Sequence, residues 1–374
     1  MKFGAGNFLL SFAIAFVALI SLPAHSFPEF IRHGYVNCMS CHVSPSGGGA
    51  LTSYGREISK EALSRWSAKN EHHYLQGAIN PYESPAWLSS FGGDFRGIQI
   101  HRENRYTREG RWLWMQAEGE GGLVLKGITF QVGRGVVEHK RRPVNDWRKA
   151  YVLMPIKSDV FLKMGLFQAQ HGLNIAEHTS YIKNDLGFTP KNEVLATEFS
   201  WIEEKWNYVA TLGLPSHKKT SASLRKIQTQ NLSYAFENRY KVGVAQSFAT
   251  EASVGESATV GVFALLGYNK QFYSLHEIDK VFESDSLSQT KTNGYIMYHK
   301  FGYEMTRGIH WQFISELSYK NLKDSTSRKD SLGTSLVFYP RPHFEFQLAW
   351  NRRKLRSPET QWTDLAWLML HYYI

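Results

Sequence analysis

From about Ser89 to Ile374 the chain alternates apolar and polar residues with a period of two. Phe344, Phe346, Leu348 and Trp350 interleave with His343, Glu345, Gln347 and Ala349. Ile309, Trp311, Phe313, Leu317 and Tyr319 interleave with His310, Gln312, Glu316 and Lys320. Successive side chains of a strand point to opposite faces, so these runs predict strands with one apolar and one polar face. A large soluble sandwich or barrel would alternate in the same way, with its apolar faces turned inward.

The breaks between the runs separate the two architectures. Tight connections are expected near Gly121–Gly122, Lys157–Ser158, Glu203–Glu204, Glu237–Asn238, Tyr268–Asn269, Thr306–Arg307 and Pro340–Arg341. Longer polar loops are expected at 106–110, 139–147, 170–191, 215–226, 249–256, 280–291, 321–330 and 354–363. Short and long connections alternate, which is the asymmetry of an outer-membrane barrel with short periplasmic turns and long external loops. The breaks predict an all-β, antiparallel outer-membrane barrel of about 16 strands, an even number that leaves both ends on the periplasmic side. The last strand, Asp364 to Ile374, carries the apolar row Ala366, Leu368, Leu370, Tyr372 and Ile374.

The first part of the chain has a different character. Met1–Lys2, an apolar run from Phe8 to about Leu22, and Ala24–His25–Ser26 predict a signal peptide over 1–26 with cleavage before Phe27. A segment at 27–87 then precedes the barrel at 88–374. Within it, Tyr54, Ile58, Ala62, Leu63 and Trp66 predict one amphipathic helix from Ser53 to Trp66, capped by Thr52 or Ser53. Ser46–Gly47–Gly48–Gly49 marks a flexible or tightly turning element.

The only two cysteines lie in this segment, in the run Cys38–Met39–Ser40–Cys41–His42. C-x-x-C-H is the spacing of a covalent c-type haem site: two thiols add to the porphyrin vinyl groups, and the histidine becomes the proximal iron ligand. Zinc would need further Cys or His ligands at finger-like spacing, and a thioredoxin-like redox pair would need a strand and helix around it. A disulfide between Cys38 and Cys41 is the remaining alternative. The expected cofactor is therefore one covalent haem c on Cys38, Cys41 and His42. His33, His72 and His73 are the nearby candidates for a sixth, distal iron ligand.

An exported chain with one C-x-x-C-H ahead of a barrel of about 16 strands resembles the fused cytochrome-porins, whose best characterised members oxidise ferrous iron at the cell surface. Phe30, Arg32, Gly34, Cys38 to His42, and Gly55–Arg56 hold positions comparable to that family's haem segment. The stretch after the haem histidine departs from the iron-oxidising pattern: Val43–Ser44–Pro45–Ser46–Gly47–Gly48–Gly49 stands where a His, Phe and Pro-rich element is usual. The resemblance implies electron passage between an extracellular donor or acceptor and a periplasmic electron carrier. One haem at the periplasmic rim would not reach across a hydrocarbon core about 30 Å thick, so 27–87 is expected to fold into the lumen as a plug. A passive porin with an N-terminal disulfide clip, or a haem-containing sensor, are the alternatives.

Charge narrows the partners. The chain carries a formal net charge of +10. Basic runs fall in the expected outer loops: His139–Lys140–Arg141–Arg142, Lys218–Lys219 with Arg225–Lys226, and Arg352–Arg353–Lys354 with Arg356. Such a rim repels a bare ferrous ion and attracts lipopolysaccharide phosphates, an anionic chelate or an acidic redox protein. Nucleic acid is a poor fit, because the basic residues are scattered through loops and form no single stripe.

Overall fold

The computed structural model describes residues 28–80, 90–139, 142–177, 179–190, 192–215, 225–251, 255–355 and 361–374. The expected signal peptide, the 87/88 boundary, Lys140, Arg141, Lys218, Lys219 and Arg356 lie outside them.

Among the described residues sixteen strands form one closed antiparallel barrel. The first eight are β1 (Ser90–Glu103), β2 (Arg108–Leu125), β3 (Ile128–His139), β4 (Arg142–Pro155), β5 (Val160–Gln168), β6 (Glu193–Ile202), β7 (Trp206–Leu214) and β8 (Arg225–Phe236). The others are β9 (Tyr240–Glu251), β10 (Gly255–Gly267), β11 (Phe272–Asp285), β12 (Lys291–Thr306), β13 (Ile309–Tyr319), β14 (Arg328–Phe338), β15 (Phe344–Leu355) and β16 (Gln361–Tyr373). Each strand pairs with its sequence neighbours, and β1 closes on β16 in the register Asp94 to Tyr373.

The alternation sorts side chains as a membrane barrel requires. Leu336, Leu348 and Leu368 are cross-strand neighbours on the outer face, with Leu348 59% exposed. Gln312, Glu316 and Glu345 face inward and are buried. At the short-turn rim, aromatic residues sit opposite one another across strand pairs: Trp206 with Tyr234, Phe236 with Tyr240, Phe272 with Tyr303, and Phe344 with Tyr372. That is the girdle where amphipathic rings meet the headgroup layer.

Several boundaries differ from the sequence reading. The β2–β3 hairpin turns at Lys126–Gly127, where both residues take the left-handed conformation (φ 50° and 83°) that a two-residue hairpin demands. Gly121 and Gly122 lie inside β2. At Gly122 a methyl group would overlap the Gln131 and Ser90 side chains, so this glycine serves close approach inside the bore. Strands also run further toward the long-loop end than expected, taking in Arg225–Lys226 and Arg352–Lys354. Ile374 leaves the outer apolar row; fully buried, it packs against Tyr74 and donates its N–H to Gly93 O.

Two pieces of chain fill the bore. Residues 28–80 enter at the short-turn end, where Arg65 and Trp66 N–H groups donate to Tyr339 and Pro340 carbonyls and Arg341 pairs with Glu71. The described residues of 170–191, expected as an outer loop, instead fold inward from the long-loop end. Leu173, Ile175, Tyr181, Ile182 and Phe188 are buried there, around a short helix at Tyr181–Asn184. Arg225 holds this insert by donating to the carbonyls of Leu186 and Gly187. Asn174 Nδ2 donates to Ser46 O at 2.8 Å, so the two segments meet inside the barrel.

Candidate functional site

The Cys38–His42 run forms one tight helical turn. The N–H groups of Cys41 and His42 both donate to Cys38 O, at 3.1 and 3.0 Å. The turn brings Cys38, Cys41 and His42 to the wall of one cavity. The turn is anchored by Asn37, whose side chain donates to Glu203 O, and by Lys241, whose ammonium donates to Val36 O at 2.8 Å.

The glycine run then folds the chain back. Gly47, Gly48 and Gly49 all have positive φ (80°, 72° and 71°), a conformation costly for any residue with a Cβ. A Cβ on Gly47 would lie 3.1 Å from Cys38 Sγ, so the returning chain packs on the thiol. The return brings Leu51 into a bridge with His42 and puts Gly49 O 3.3 Å from His42 Nδ1. With Nδ1–H donating to that carbonyl, the ring's lone pair is on Nε2, the arrangement usual in metal-binding histidines.

Behind the turn lies α1 (Ser53–Ile58). Thr52 Oγ1 caps it by accepting from Gly55 N at 3.1 Å, and Arg56 lies over the Tyr74 ring at 4.1 Å. The helix is shorter than the periodicity predicts: it widens into a π turn at Ser59–Leu63 and ends at Ser64. Tyr54 and Trp66 are exposed; Ile58, Ala62 and Leu63 of the expected stripe pack inward.

Cys38, Cys41 and His42 line one cavity with Phe30, Leu51, Leu63, Leu173, Phe263 and Leu265. Plug, insert and barrel wall all contribute. His42 is 3% exposed, and the two sulfurs are thiols with no disulfide between them. Burial, with Cys38 alongside, pushes the Cys41 thiol up to about 11, so it stays protonated at neutral pH.

The three distal candidates lie elsewhere. His33 sits 3.8 Å from Glu304, and burial together with Arg32 and Lys270 lowers its pKa to about 4. His72 and His73 stack edge-on at 4.4 Å near the short-turn rim, and His72 O is 3.3 Å from His343 Nε2. None of the three lines the cavity with His42. Gln170, Asn174, Asn231 and Lys241 bring polar atoms there instead. The insert's contribution had a signal: Leu173, Ile175, Ile182, Leu186 and Phe188 are too apolar for a solvated loop.

No protein-family model matches the chain, and no curated protein matches it. Solved structures do. Over 76% of this chain and 94% of theirs, the fold matches Pseudomonas putida OprB with a TM-score of 0.60 at 9% identity. An anion-selective porin from Comamonas acidovorans matches with a TM-score of 0.58 at 5% identity, over 76% of this chain and 98% of that one. Vibrio cholerae OmpT lacking loop L8 gives 0.58 at 7% identity, over 76% and 99%. The fold is that of outer-membrane porins.

A covalent haem fits the residues present. The motif presents two thiols and an oriented imidazole to one cavity with a largely apolar lining, and the glycines let the returning chain pass against the Cys38 thiol.

Proposed function

We propose that this chain is an outer-membrane barrel protein whose bore carries one covalent c-type haem and passes electrons between an extracellular donor or acceptor and a periplasmic carrier. The outer-membrane part is supported by the closed barrel, its apolar exterior, its aromatic girdle and the likeness to porins. The haem part rests on one observation: Cys38, Cys41 and His42, held together by one turn of chain, line one largely apolar cavity. There Cys38 and Cys41 would hold the porphyrin by thioethers and His42 Nε2 would bind the iron. Bound haem would supply a one-electron couple. The chain's own part is to orient His42 through Gly49 O, to exclude water with Phe30, Leu51 and Phe263, and to hold the segment in the bore.

A channel without haem is the second reading, and on the fold comparison alone it is the stronger, since the neighbours are porins, one of them anion-selective. The net charge of +10 suits anions. One pair of measurements separates them. Protein made with c-type maturation machinery should show a Soret band and in-gel haem peroxidase stain after denaturation, both lost in Cys38→Ala and Cys41→Ala. Absence of both signals in the parent protein, with conductance across a planar bilayer, leaves the channel reading.

A further inference from the structure

The inserted segment touches β11 at a point that the haem reading leaves unused. His171 Nε2 lies 2.9 Å from Asp279 Oδ1, and Leu173 N donates to Glu277 Oε2 at 2.7 Å. His171 and Asp279 are fully buried and Glu277 is 1% exposed. Each of the three residues offers one ligand atom, and these atoms all lie within 4.8 Å of one another. Among the described residues, no donor reaches His171 Nδ1, Glu277 Oε1 or Asp279 Oδ2, and the Glu277 and Asp279 carboxyl groups lie close enough to share a proton. Glu277 and Asp279 are two apart on one strand and so share its inward face.

Two carboxylates side by side in a dry interior either hold a proton between them or are compensated by a cation. Lys183 supplies one positive charge nearby, its ammonium donating to His171 O at 3.0 Å. The histidine is held from both sides through the backbone, since Gly172 N donates to Asn231 Oδ1 and Asn231 Nδ2 donates to Gln170 O. Gly172, at φ 57°, has the Glu277 carboxylate where a Cβ would stand. The local chain is shaped to let the carboxylate in.

We propose that His171, Glu277 and Asp279 bind one divalent transition-metal ion, which clamps the inserted segment to the barrel wall. Nitrogen and oxygen ligands about 2.1 Å from such an ion stand roughly 3.0 Å apart when they are cis neighbours. The His171 to Asp279 spacing is already of that size. One imidazole with two carboxylates suits zinc, manganese or ferrous iron, and offers too few oxygens for calcium. Because Asn174 of the same segment holds Ser46 O of the plug, the ion would also steady the contact between the two bore-filling segments.

The test uses the full-length protein in detergent, stripped with chelator and titrated with cobalt(II), with zinc content read by mass spectrometry separately from any haem iron. Visible ligand-field bands saturating at one equivalent are expected, with at least tenfold weaker binding in His171→Ala and in Glu277→Gln/Asp279→Asn. Heat-modifiable gel migration reports whether each variant folds. Zinc should also slow protease cleavage within 169–192 of the parent protein, a readout that needs no variant. Failure of the parent protein to take up cobalt or zinc would mean that the carboxyl pair shares a proton and would overturn the proposal. Bands unchanged in folded His171→Ala would overturn it equally.

Discussion

Gly55 of α1 packs directly on the backbone of Cys41: a methyl group at Gly55 would fall inside the van der Waals envelope of the Cys41 carbonyl oxygen. That oxygen also accepts the Thr52 N–H at 2.9 Å. Gly55→Ala must therefore push helix and turn apart, at about 1 to 3 kcal/mol. The expected outcome is a folded barrel with a loosened plug, seen as faster protease cleavage within 28–80 and, if haem is attached, a lower haem stain per protein. Wild-type behaviour on both counts would show that the close approach carries no weight.

Arg32 and Glu304 join plug to wall at 3.1 Å, both largely shielded from solvent. Arg32→Ala strands a buried carboxylate, at about 3 to 5 kcal/mol. Replacing both partners, Arg32→Met with Glu304→Leu, should cost less than the single change. Thermal melts in detergent of the single and double variants check the ordering.

Burial holds His343 down to about 3, well below the ordinary histidine value of 6.5. The folded state therefore refuses a proton that the unfolded chain accepts. The stabilisation is fully present above about pH 6.5 and is lost as pH falls toward 3, at up to about 1.4 kcal/mol per pH unit. His343→Asn keeps the left-handed backbone (φ 71°) and should flatten the melting-temperature profile between pH 6.5 and 4. An unchanged slope would assign the acid sensitivity to other groups.

Leu348 lies between Leu336 and Leu368 on the outer wall. Leu348→Arg places a charge in the lipid-facing belt and should cost about 2 to 4 kcal/mol in urea unfolding from lipid vesicles. A cost near zero would put this face in water.

The strands were legible because a period of two survives any tertiary context: Glu345, Gln347 and Ala349 can face only one way if Phe346, Leu348 and Trp350 face the other. The even strand number followed from alternating connection lengths. Turn positions were less legible, since Gly122 marks close packing and Lys126, with no turn signature of its own, takes the left-handed conformation. The Cys38 to His42 motif was readable because its geometry is local, within one turn. His33, His72 and His73 are near it in sequence, but the cavity is completed from Leu173, Lys241 and Phe263. Such contacts are set by barrel closure. For the same reason His171 and Asp279, 108 positions apart, show nothing of their pairing in the linear chain.

The pairing of β1 with β16 bears on biogenesis. The plug is bonded to Glu203 beside β7, to Glu304 on β12 and to Tyr373 on β16, on separated parts of the ring. A segment held from several sides is enclosed most directly while the seam between first and last strands is still open. Any group carried on Cys38 and Cys41 would then be joined to the chain in the periplasm before insertion is complete, making the seam the last step of maturation.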